Sequence, residues 1–158
     1  VTKYKLNQVV RGAMMIARRA LVKDGYLLPV AIMLYGNDDQ DVREIEFFDS
    51  DASKDTAARV LKERAAALNA HAVVLVFDTW MAHIDKDDPI PDKRVRDLPN
   101  AQDTILVSGS MSGYSVTALC TYTKDKDGEI TLSDVSISED VELSQCRFTK
   151  GLWSGTTH

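Results

Sequence analysis

Three side chains in the stretch NAHAVVLVFDTWMAHID, residues 69–85, have the types and spacing to do chemistry: Asp78, His83 and Asp85. Two carboxylates and an imidazole are donors that suit a divalent cation, and a bound cation can activate water for hydrolysis. His71 is a further candidate, but the aliphatic run 73–77 separates it from His83. At about 3.3 Å per residue, an extended chain holds those two imidazoles too far apart to share an ion. The feasible set is Asp78, His83 and Asp85, completed by an acid from the segment that follows. The competing reading is plainer: Asp78 marks the end of a buried strand and turns to solvent or caps a turn.

Other chemistries fall away on pattern. No GxxxxGK[ST] loop exists to cradle phosphate, so Asp78 does not serve a Walker-type site. There is no GxSxG elbow to present a nucleophilic serine. In GNDDQD, Asn37, Asp39 and Asp41 alternate as in a calcium loop. Val42 stands where that loop needs glycine and Phe48 where it needs a bidentate glutamate, so a hairpin turn explains the acids better. SGSMSG has no helix after it to lend an anion its N-terminal dipole. Cys120 alternates with Val116, Ala118 and Tyr122, which predicts a packed, unreactive thiol. Lys93, Arg94 and Arg96 are interleaved with Asp92 and Asp97 and read as a solvated loop. No cofactor is expected.

Composition narrows the partners. The chain has 158 residues, 44% hydrophobic and 27% charged, which fits one globular domain with a sizeable core. With 24 acidic against 19 basic residues it carries a net charge of −5, so a nucleic-acid surface is not expected. Cys120 and Cys146 have no CxxC spacing and read as reduced thiols. VTKYKLNQ lacks the apolar core of a secretory signal. The longest apolar run, Tyr26 to Tyr35, is interrupted by Pro29 and too short for a bilayer. The expectation is a cytoplasmic protein without a membrane partner, or a virion component made in the cytoplasm.

The elements that would position these residues follow from periodicity. Leu6, Val9, Val10, Ala13, Ala17, Ala20 and Leu21 recur at helical spacing, predicting a helix over 6–24 with Gly25 as its stop. YLLPVAIMLY is apolar on both faces, as a central strand would be, and VREIEFF pairs with it as a hairpin. Ser50, Asp51 and Ser53 offer caps for a second helix that Asn69 ends, with Ala57, Leu61, Ala65 and Leu68 along one face. AVVLVF is again a central strand. TILVSGSM and YSVTALCTYT form a hairpin through Ser112-Gly113, and ITLSDVSI follows the Asp127-Gly128 turn. The fold class is α+β: an antiparallel sheet of about five strands with two helices on one face, in the order α-β-β-α-β-β-β. Residues 1–140 form one domain, and 141–158 a C-terminal tail that packs on it or is partly mobile.

Two likenesses add to this. The element order resembles roadblock and profilin-like scaffolds, binding platforms without catalysis of their own, although the closing helix of a roadblock domain has no counterpart after Ile137. AVVLVFDTWM, followed by a charged proline-containing loop and a hairpin, resembles a set of uncharacterised bacterial and phage proteins. Asp78 and Trp80 alone carry that likeness, which implies a bacterial or phage-encoded protein and no known activity.

Trp80, Met81 and Trp153 are then the candidate contact residues, because tryptophan concentrates binding energy at interfaces when it does not simply close a core. The doubly apolar strands also need cover on their second face, which the Pro-rich loop, the tail or a further copy of the chain would supply. Two readings result. One is a non-enzymatic binding or structural protein acting through self-association or partner docking. The other is a small metal-dependent hydrolase using Asp78, His83 and Asp85.

Overall fold

The computed structural model describes residues 2–46, 50–82, 87, 89, 94–139, 148, 152 and 153. Helix α1 spans Lys3–Asp24, opened by Thr2, whose hydroxyl accepts from the Lys5 amide at 3.0 Å. Gly25 closes it in the left-handed region at φ 79°, a conformation glycine adopts without a Cβ clash. The stripe that buries is Leu6, Val10, Ala13, Met14, Ala17 and Leu21. Strands β1 (Val30–Tyr35) and β2 (Asp39–Glu44) make a hairpin whose last pair is Tyr35–Asp39. The turn is only Gly36 to Asp38, so Asp39 and Asp41 belong to the strand rather than to a loop. Asp41 is held there by Arg43 at 2.9 Å and Arg64 at 3.3 Å. Partial burial works against its charge, but these two guanidiniums outweigh that and lower its pKa.

Helix α2 spans Asp51–Leu68 between the Ser50 cap and Asn69 at φ 53°. Strand β3 runs Ala72–Met81, and a short 3-10 turn, Val95–Asp97, precedes β4 (Gln102–Met111). Strand β5 (Tyr114–Lys124) returns through Ser112-Gly113, with Gly113 at φ 76°. Two short strands, β6 (Ile130–Leu132) and β7 (Ser136–Glu139), both pair with β5. All neighbours are antiparallel, in the order β2-β1-β3-β4-β5-β6.

The α+β class and its order stand, with two corrections. The first concerns the strand count, which is seven among the described residues where about five were expected. ITLSDVSI is not continuous: Cys120 and Thr121 of β5 face three residues, Ser133 to Val135. That extra residue is a bulge. It is held by the Ser133 amide donating to Thr121 O at 2.9 Å and by Thr121 Oγ1 donating to Ser133 Oγ at 2.8 Å.

The second correction concerns the helices, which lie on opposite faces of the sheet. Successive side chains in a strand point to opposite sides. Ala72, Val74 and Val76 therefore join Leu34, Val107, Val116 and Ala118 beneath α1. Val73 and Leu75 join Ala31 and Met33 against Ala57, Ala58, Leu61 and Ala65 of α2. The second face of β1 and β3 is thus covered from within the chain, and no further copy is needed to hide it. Helix α1 comes so close to β4 that a Cβ on Gly109 would stand 2.6 Å from Val10 Cγ2.

Away from α2 the same face turns polar. Ser108, Ser110 and Thr117 are buried there. Trp153 Nε1 donates to Ser110 Oγ at 2.6 Å, and Phe148 meets Phe77 with ring centroids 5.3 Å apart. Among the described residues no helix is long and apolar enough to cross a membrane.

Candidate functional site at the end of strand β3

Strand β3 does not stop at Asp78. It pairs with β4 through Asp78–Ile105, Thr79–Thr104, Trp80–Asp103 and Met81–Gln102. The expectation that Asp78 ends the strand is therefore corrected: four ladder positions, from Asp78 to Met81, continue beyond the aliphatic run. Alternation places Asp78 and Trp80 on the α1 side of the sheet, the side of Val74 and Val76. The β4–β5 register adds Asp103 and Tyr122, which face each other directly. One sheet end thus gathers Asp78, Trp80, Asp103, Tyr122 and Lys124.

The geometry is specific. Tyr122 Oη donates to Asp78 Oδ1 at 2.7 Å. Lys124 Nζ donates to Gly25 O at 3.1 Å, placing a positive charge at the carbonyl end of α1, where the helix dipole favours it. Burial raises the Asp78 pKa above its ordinary value; the Tyr122 hydrogen bond and the Lys124 charge oppose this without cancelling it. Asp103 is raised as well, by burial and then by the negative charge of Asp78, again against Lys124. Burial pushes the Tyr122 phenol up, and the hydrogen bond to Asp78 with the charges of both carboxylates pushes it further. Tyr122 is consequently held as a protonated donor, not as a nucleophilic phenolate.

Beside these residues lies an open cleft of about 420 Å³, lined in part by Trp80, Asp103, Tyr122, Lys124, Thr121 and Ser133. Trp80 and Met81 remain 42% and 38% exposed. That contrasts with Val73 to Leu75 on the same strand, which are fully buried. The indole of Trp80 therefore does not close the core. Trp153 is engaged within the chain through Ser110.

Of the proposed metal ligands, the structure places only Asp78, since His83 and Asp85 lie outside the described residues. Asp78 is bonded to Tyr122, and burial works against its charged form, neither of which suits it to coordinate a cation. No group of three or more candidate ligands converges among the described residues. Cys120 is buried with its thiol donating to Ser133 O at 3.3 Å, consistent with a packed side chain at the bulge. Asp103, Tyr122 and Lys124 were not singled out from sequence. Their signal was available: a two-residue turn at Ser112-Gly113 fixes the β4–β5 register and sets Asp103 opposite Tyr122.

Fold and site together define an α+β protein that carries an exposed aromatic flanked by acids at one end of an otherwise sealed central strand. A family model described as bacteriophage lambda protein ea47 matches residues 1–156, and the chain belongs to that phage protein family. No curated protein and no solved structure matches the chain, so the roadblock and profilin comparison rests on element order alone.

Proposed function

We propose that this chain is a non-catalytic binding protein of a phage, which docks a partner through the Trp80–Met81 end of β3. The observation that carries the reading is the exposure of Trp80 at 42% on a strand whose inner residues are completely buried. A large ring left partly in water gains free energy when a partner covers it, at roughly 25 cal/mol per Å² of apolar surface removed from water. The adjoining cleft gives that partner a recess to enter. Tyr122 and Asp78 support binding over catalysis: each satisfies the other, and the phenol is stabilised in its neutral form.

Photo-crosslinking tests this reading in the phage-infected host. A photoreactive residue at position 101, which lines the cleft beside Trp80, is expected to give a discrete adduct, whereas the same residue at Ile16, an exposed position on α1, gives none. The mass of the adduct distinguishes a second copy of the chain from a different protein. Equal labelling at both positions, or none at position 101, would remove the support for docking at this end.

A further inference from the structure

We infer that the cleft beside Trp80 takes a guanidinium group, an arginine side chain presented by the partner. This inference rests on the docking reading above and names the chemistry of what docks. Trp80 and Asp103 are direct cross-strand neighbours, so a flat cation stacked on the indole has the Asp103 carboxylate alongside. Asp78 lies two residues before Trp80 on the same side of β3 and adds a second negative charge behind Tyr122. The cleft, about 420 Å³ and open to solvent, has room for one such side chain.

The basic groups nearby do not fill this role. Lys124 Nζ is drawn 3.1 Å from Gly25 O, at the end of α1. Arg18 reaches across from α1 and donates through Nη2 to Ser133 O at 3.2 Å, on the bulge side of the cleft. Both cations are turned to backbone carbonyls; Lys124 acts on Asp78 and Asp103 through space without an ion pair to either among the described residues, so two carboxylates stand against one ammonium beside Trp80. A guanidinium fits the Trp80–Asp103 pair better than an ammonium. It is planar, stacks on an indole face and presents a rigid fork of donors to a carboxylate. A lysine would supply charge without the stacked plane.

The test follows the indole N–H resonances of the whole chain by NMR while blocked Gly-Arg-Gly is added. Gly-citrulline-Gly, which has nearly the same shape without the charge, is the control, and Gly-Lys-Gly the comparison. The arginine peptide is expected to shift the Trp80 indole saturably, leaving Trp153 still. Citrulline should leave Trp80 unmoved, and lysine should bind more weakly. Asp103→Asn should weaken the arginine peptide about tenfold, the loss expected for one charge-assisted hydrogen bond at a partly exposed site. An unmoved Trp80 resonance, or equal shifts from arginine and citrulline, would overturn the inference. If position 101 still crosslinks to a partner while the arginine peptide is silent, the cationic ligand is wrong and the docking reading stands.

Discussion

The two halves of β3 share one strand and one continuous ladder with β4, yet they are built for different ends. From Ala72 to Val76, side chains point alternately into the α1 core and the α2 core, and none is more than 5% exposed. From Asp78 to Met81 the ladder continues, but an acid, a threonine and a partly exposed tryptophan replace the aliphatics. Hydrogen bonding alone therefore does not distinguish core from surface here; cover by the helices does. The inner half is where stability is generated, and the outer half is surface that the ladder holds in a fixed register.

That comparison can be broken at several points. Val76→Asp puts a charge into the inner half, where the cost of an unpaired buried carboxylate is on the order of the whole folding free energy. The variant should lack cooperative thermal unfolding by circular dichroism, and a folded Val76→Asp protein would refute the packing of β3. Gly109→Ala attacks the same half from β4. Its new Cβ would meet the Val10 side chain at 2.6 Å, and overpacking of this kind costs about 1–3 kcal/mol. Urea denaturation should register that loss, whereas an unchanged midpoint would mean that α1 lies further from the sheet.

A smaller effect, with the opposite sign, is expected in the outer half. Burial raises the Asp78 pKa in the folded state above its ordinary value of 3.8. The folded protein thus binds this proton more tightly than the unfolded chain does. The stabilisation is complete below about pH 4 and is lost as pH rises through the folded-state pKa. Asp103 contributes in the same direction, its pKa raised by burial and then by the charge of Asp78. Asp78→Asn keeps an oxygen to accept the Tyr122 hydroxyl and removes the charge. At pH 7 the variant should be at least as stable as the wild-type protein, with the difference shrinking or reversing at pH 3.5. Greater destabilisation at pH 7 than at pH 3.5 would show that the ionised carboxylate supports the fold.

Most of the inner half was legible in the sequence. Helical spacing marked α1 and α2, Gly25 and Asn69 marked their ends, and the apolar runs marked β1 and β3. Which face each helix covers was not legible, because a strand apolar on both sides is compatible with either arrangement. The bulge at Ser133 to Val135 was hidden for a different reason: it depends on side-chain and backbone bonds to Thr121, which composition does not signal. The outer half was read in part. Asp78 and Trp80 stand out, but from sequence Asp78 reads as a strand end because strand propensity falls at an acid, while pairing with Ile105 carries the ladder onward. Asp103 and Tyr122 required a register that only the short turn between their strands supplies.

The most direct test is the stability of Trp80→Ala, measured by urea denaturation at neutral pH. If Trp80 is surface held for contact, the variant should lose no more than about 2 kcal/mol, as expected of an indole already 42% exposed. A loss of about 3–5 kcal/mol, the range for a tryptophan that completes a core, would contradict the division of β3 on which the proposed function depends.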